Sequence, residues 1–134
     1  VRKTVVILDM GEEHTNRLCS ALEKERYQTV KLSSLSALQE SLKGKLCLAL
    51  IIDLDFLAWD NRSLRELREE NHGLCIIGLS SRPFHPELKE ALSSYIDACF
   101  SKPVEMDHLL YWLRGVGQNS GQLLPKTFES NEVA

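Results

Sequence analysis

No long apolar run occurs in this chain. The longest, Leu46 to Ile52, is seven residues, far short of the ~20 that a membrane helix needs, so no membrane partner is expected. Positive charge is not in excess either: 16 Lys and Arg stand against 19 Asp and Glu, the net charge is −3, and the basic residues are scattered. That removes the electrostatic field with which a protein holds a phosphate backbone, so no direct nucleic-acid contact is expected. Cysteine is sparse and dispersed. Cys19, Cys47, Cys75 and Cys99 form no CxxC pair and no Cys/His cluster, which argues against a zinc site and for small buried side chains in a reducing compartment. His14, His72, His85 and His108 lack metal-ligand spacing and read as surface or helix-end residues. Aromatics make up only 7%, with Trp59 and Trp112 read as packing groups. Glycine is never clustered after an apolar run, so there is no phosphate loop of the nucleotide-binding kind. With no secretory leader pattern and no lipidation motif, the expected location is cytoplasmic.

What is present suits one globular domain: 134 residues, 43% hydrophobic and 26% charged. Leu46 to Ile52 runs directly into Asp53 and Asp55. A short run apolar on both faces belongs inside a parallel sheet covered by helices, and such sheets gather their chemistry at the carboxyl ends of the strands. Thr4 to Leu8 (TVVIL) is a second buried strand, ending at Asp9, Met10 and Gly11.

Between and beyond these, helical and strand periods alternate. Leu18, Ala21 and Leu22 repeat at helical spacing within residues 12–26, and residues 28–32 read as a short strand. Ser33 and Ser34 are caps for a helix carrying Leu35, Leu38 and Leu42, stopped by Gly44. Residues 60–71 form a polar helix with Leu64 and Leu67 inward, and residues 74–79 (LCIIGL) a fully apolar strand ending at Ser80 and Ser81. Pro86 opens a helix burying Leu88, Ala91, Leu92 and Tyr95. Residues 96–100 make a fifth strand, followed by Ser101, Lys102 and Pro103 and a last helix with Met106, Leu109, Leu110 and Leu113 up to Gly115. Past residue 117 the chain is polar and aperiodic. The expected division is a domain over 1–116 and a linker or disordered tail over 117–134.

Five strand–helix units in this length specify an α/β fold: a flavodoxin-like, doubly wound five-stranded parallel sheet of order 2-1-3-4-5, with helices on both faces. That order places Asp9, Asp53, Ser80 and Lys102 on one edge of the sheet. Chemically, the set supplies a carboxylate able to accept a phosphoryl group, a second acid for a divalent cation, and a hydroxyl and an ammonium for phosphoryl oxygens.

On IIDLDFLAWD, IIGLSS and CFSKPV, at the ends of the third, fourth and fifth strands, the sequence resembles the response-regulator receiver domain of two-component signalling. The resemblance spans residues 3 to about 116. It implies that Asp53 is the phosphoacceptor, that Ser80 and Lys102 contact the phosphoryl group, that the Lys102–Pro103 bond is cis, and that Asp9 and Asp53 hold a magnesium ion. It further implies a sensor histidine kinase or phosphotransfer protein as donor, and an effector domain linked after residue 117. A homodimer through the fourth helix, fifth strand and fifth helix also follows from it. Such a module is a signalling switch and not a free-standing enzyme.

The departures bear on the metal and on the output. Met10 stands where the family's second acid is expected, so the ion should be weakly held unless Glu12 or Glu13 replaces it, and Cys99 stands at the aromatic switch position. Phe56-Leu57 replaces the usual Met-Pro after the acceptor. These changes favour, as the alternative, a pseudo-receiver acting as a phosphorylation-independent interaction or dimerisation module. A cofactor carrier of the cobalamin-binding type is disfavoured, because no histidine follows Asp9-Met10-Gly11 at the required spacing.

Overall fold

Alternate residues of each apolar run find a helix layer on opposite sides, and this makes the runs strands of a buried sheet. The computed structural model describes residues 3–8, 11–42, 47–55, 59–82, 85–118 and 127–128. Its elements are β1 (Thr4–Leu8), α1 (Glu12–Lys24), β2 (Gln28–Leu32), α2 (Leu35–Leu42), β3 (Ala49–Asp53), α3 (Asn61–Glu70), β4 (Cys75–Ser80), a 3-10 turn (Pro86–Leu88), α4 (Lys89–Ser94), β5 (Ala98–Ser101), α5 (Met106–Gln118) and β6 (Thr127–Phe128). The sheet order is β2-β1-β3-β4-β5-β6, with every pairing parallel. The five main strands thus follow the order 2-1-3-4-5.

Val5, Ile7, Ala49, Ile51, Ile77 and Leu79 turn to one face, where Leu18 and Leu22 of α1 and Leu109 and Leu113 of α5 cover them. Val6, Leu8, Leu50, Ile52 and Ile76 turn to the other, beneath Leu38 of α2, Leu64 and Leu67 of α3 and Ala91 of α4. Period two on the strands and the 3.6 period on the helices therefore describe the same two cores. Each fully buried Leu or Ile contributes about 1.5–3 kcal/mol, which is why β3, buried at all five positions, anchors the sheet.

Local signals explain most boundaries. Ser34 Oγ accepts the Ala37 N–H at 3.1 Å and starts α2; Asp60 accepts the Ser63 N–H at 2.7 Å and starts α3. Pro86 opens a 3-10 turn in place of the first α-helical turn, so α4 is only six residues.

Two features depart from the periodicity. First, α5 continues through Gly115 to Gln118. A glycine costs a helix about 1 kcal/mol, and Val116, packed on the first core, holds the turn beyond it. Second, Thr127–Phe128 lies in the stretch read as linker or tail, yet it pairs with Ala98–Cys99 of β5. An edge strand offers unpaired backbone groups, and a two-residue strand is enough to occupy some of them. Asp9, Met10, Gly44, Phe56 and Leu57 lie outside the described residues.

Candidate functional site

Asp53, Ser80 and Lys102 meet at the carboxyl edge because three adjacent parallel strands end in register there. Asp53 is paired with Leu79, Ser80 with Ser101, and the Lys102 N–H donates to the Ser80 carbonyl at 2.9 Å. Immediately after Asp53, Leu54 folds over β4, its N–H donating to the Leu79 carbonyl at 2.8 Å. Gly78 makes that possible: a Cβ there would sit 3.0 Å from Leu54 Cδ1. The Asp55 N–H then donates back to Asp53 Oδ1 at 2.8 Å, closing the turn that ends the strand.

Asp53 is 3% exposed. Its charge is balanced by Lys102, whose Nζ lies 2.9 Å from Oδ1 and 2.8 Å from Oδ2. The Lys102–Pro103 peptide bond is cis. Lys102 also lies 2.9 Å from Asp55 Oδ2. Burial pushes its pKa down, but hydrogen bonds and charge from Asp53 and Asp55 outweigh that and raise it above the ordinary lysine value.

Asp55 is the residue whose weight the sequence reading missed. Oδ2 accepts the Ser81 N–H at 2.6 Å, the Ser81 hydroxyl at 2.8 Å and the Lys102 ammonium, while Oδ1 accepts the Ser80 hydroxyl at 3.2 Å. Desolvation alone would raise its pKa; the Ser81 N–H, the Lys102 ammonium and the Ser81 hydroxyl bring it down to about 2. The signal was present in the DLD spacing and in the doubled serine, but neither reveals that the two turns face each other.

Ser80 is buried, and its hydroxyl lies within hydrogen-bonding distance of His85 Nε2 as well as of Asp55. It also accepts the Arg82 N–H at 3.0 Å. Among the described residues no hydrogen bond joins Ser80 to Asp53. Of the two readings, surface or helix end, His85 takes the second: it is the N-cap of the 3-10 turn at Pro86 and is 3% exposed, with Nδ1 3.4 Å from Glu87 Oε1. His14 is half-buried and lines an open cleft of about 570 Å³ with Gly11, Glu13, Arg17, Lys102 and Pro103. Burial and the nearby Lys102 ammonium lower the His14 pKa.

Of the two residues expected to hold magnesium, Asp9 and Asp53, only Asp53 lies among those described. Asp9 and Met10 fall outside the described residues, both Asp53 oxygens are engaged by Lys102, and no group of three His, Cys, Asp or Glu side chains among the described residues lies close enough to hold an ion. Cys99 is half-buried on β5, and its thiol pKa is pushed up to about 11 by burial and by the charge of Asp55. Trp59 is buried in the second core.

No protein-family model and no curated protein matches the chain. Solved structures do. The receiver domain of a CheY-like response regulator from Methanospirillum hungatei JF-1 superposes with a TM-score of 0.76 at 16% identity, covering 88% of this chain and 96% of that one. A signal receiver domain of an HD domain-containing protein from Pseudomonas fluorescens Pf-5 gives 0.78 at 19%, covering 90% and 98%. The chain has the fold of a response-regulator receiver domain. A response regulator from Thermotoga maritima gives 0.76 at 17%, covering 89% of this chain and all of that one. At these identities the receiver likeness is one of fold, and the site must be argued from its own residues. No helix among the described residues is long and apolar enough to cross a membrane.

Proposed function

We propose that this chain is a receiver module of a two-component phosphorelay, with Asp53 the residue that accepts the phosphoryl group. The observation that carries the reading is the Asp53–Lys102 pair: a buried carboxylate at the carboxyl end of the central strand, held at 2.9 and 2.8 Å by an ammonium from the end of β5. In the transfer, an Asp53 oxygen attacks phosphorus, the bond from phosphorus to a donor imidazole nitrogen breaks, and that nitrogen keeps the electron pair. Lys102 offsets the charge gathered on the phosphoryl oxygens. Magnesium, where bound, would share that task, with Asp9 as its further carboxylate.

The donor is a sensor histidine kinase or a phosphotransfer protein, and the output is a change of contacts on the face of α4, β5 and α5. Tyr111, 77% exposed on α5, gives that helix an aromatic handle for a partner or a second copy. An effector linked after residue 117 belongs to the same reading. Incubation with a small phosphodonor and magnesium, followed by intact mass, tests it. One phosphoryl adduct on the wild type and none on Asp53→Asn is the expected result; no adduct on the wild type at any magnesium level contradicts it.

A second reading is favoured by one observation. The Asp55 carboxylate already engages Lys102, Ser80 and Ser81, as expected of a pseudo-receiver whose contacts do not depend on phosphorylation.

A further inference from the structure

The donors at this edge of the sheet are arranged for an anion, and an anion of the chain itself sits on them. A carboxylate has about four acceptor directions. At Asp55 three donors converge on Oδ2, the Ser81 N–H at 2.6 Å, the Ser81 hydroxyl at 2.8 Å and the Lys102 ammonium at 2.9 Å, and the Ser80 hydroxyl reaches Oδ1 at 3.2 Å. His85 Nε2 lies further off, at 3.7 Å from Oδ1. Backbone amide, hydroxyls and ammonium converging on one point are the groups with which proteins bind tetrahedral oxyanions. Asp55 reaches that point because it lies two residues beyond Asp53, in the turn after β3, while both serines lie in the turn after β4. Its side chain is 18% exposed, so the bonds are partly shielded from water.

We propose that the Asp55 carboxylate is the resident occupant of an oxyanion site formed by Ser80, Ser81 and Lys102, and that it holds the turn at Ser80 and Ser81 in place with no phosphoryl group present. An incoming phosphate-class oxyanion and the Asp55 carboxylate need the same donors and repel each other, so one excludes the other. The consequence for signalling rests on the reading of Asp53 as acceptor: a phosphoryl group on Asp53 gains Ser80, Ser81 and Lys102 only when Asp55 withdraws, which makes Asp55 a brake on phosphorylation. Occupancy itself does not need Asp53 to react.

Amide hydrogen exchange on the full chain, read at Ser81 and Arg82 with and without inorganic phosphate, tests the occupancy. In the wild type these amides exchange slowly and are indifferent to phosphate. In Asp55→Ala the Ser81 amide exchanges at least about tenfold faster, in keeping with the loss of a charge-assisted hydrogen bond, and phosphate slows it again in a saturable way while core amides of β1 and β3 stay unchanged. Asp55→Asn keeps the side-chain volume and one acceptor oxygen but removes the charge, so should the alanine variant fold poorly it reads the charge-dependent part, a smaller rise in Ser81 exchange that phosphate again reverses. Exchange at Ser81 within twofold of the wild type in both variants overturns the proposal, and so does faster exchange that phosphate leaves unaltered. Because the probe is free phosphate, neither result depends on whether Asp53 forms an adduct.

Discussion

Replacing Lys102 with methionine removes an ammonium that lies between two carboxylates, Asp53 and Asp55, and leaves the aliphatic stem in place. Asp53 then keeps the Asp55 N–H but loses its counter-charge while its side chain remains 2% exposed. Breaking a buried ion pair from one side costs about 3–5 kcal/mol. The Lys102 side chain is 18% exposed, so water offsets part of that, and about 3 kcal/mol is the expected loss. Removing the other partner is predicted to be far milder. Asp53→Asn leaves Lys102 paired with Asp55 at 2.9 Å and relieves repulsion between two neighbouring acids, so it should change stability by less than about 1 kcal/mol. The double variant, Lys102→Met with Asp53→Asn, should recover about 2 kcal/mol relative to Lys102→Met alone, since no unpaired buried charge remains on β3. Urea unfolding of the four proteins at neutral pH reads all three values. Equal costs for Lys102→Met and Asp53→Asn, or additivity in the double variant, would refute the picture of one cation balancing two acids.

Three further outcomes follow from the same geometry. Because the Asp55 pKa falls from 3.8 to about 2 on folding, it contributes stability above pH 4 that is lost as the pH drops through 2; water screens this exposed residue, so about 1 kcal/mol is expected in place of the full 1.36 kcal/mol per unit, and acid titration of Asp55→Asn should lack that component. Arg68 donates to the carbonyls of His72, Leu74 and Tyr95 and pairs with Asp97, tying α3, β4 and the end of α4 together; Arg68→Ala should cost about 3 kcal/mol in urea unfolding, and a loss under 1 kcal/mol would show that this clamp is not rigid. Gly78→Ala puts a Cβ 3.0 Å from Leu54 Cδ1, so about 1–2 kcal/mol of overpacking is expected, with the largest amide shifts at residues 53–55; an unchanged spectrum there would mean that Leu54 does not depend on the space.

The sheet was legible because burial imposes its own grammar. Residues 46–52 and 74–79 are apolar without a break, which only strands covered on both faces tolerate, and the helices that pack on the sheet carry Leu18 and Leu22, or Leu64 and Leu67, at spacings that leave one face to the core. The edge residues Asp53, Ser80 and Lys102 followed from that topology, since each ends or follows a strand. Asp55, Ser81, His85 and Glu87 did not. They sit in turns whose mutual approach depends on a glycine at 78, a proline at 86 and the length of two loops, and no period in the sequence records that. The histidine shows the difference most plainly: His85 reads as a surface or helix-end residue, and it does end a helical turn, yet its ring is buried against the Ser80 hydroxyl. The pairing of Thr127–Phe128 with β5 was hidden for a similar reason, because two residues are too few to show an alternation.

The central claim concerns one atom group, the Asp53 carboxylate, and a neighbouring acid two residues away competes for the assignment. Treating the phosphodonor-exposed protein with borohydride converts an aspartyl phosphate to homoserine, and peptide mapping then reports the position of the change. The account predicts homoserine at position 53, with more of it in Asp55→Asn than in the wild type. Homoserine at position 55, or none in either protein, would contradict it.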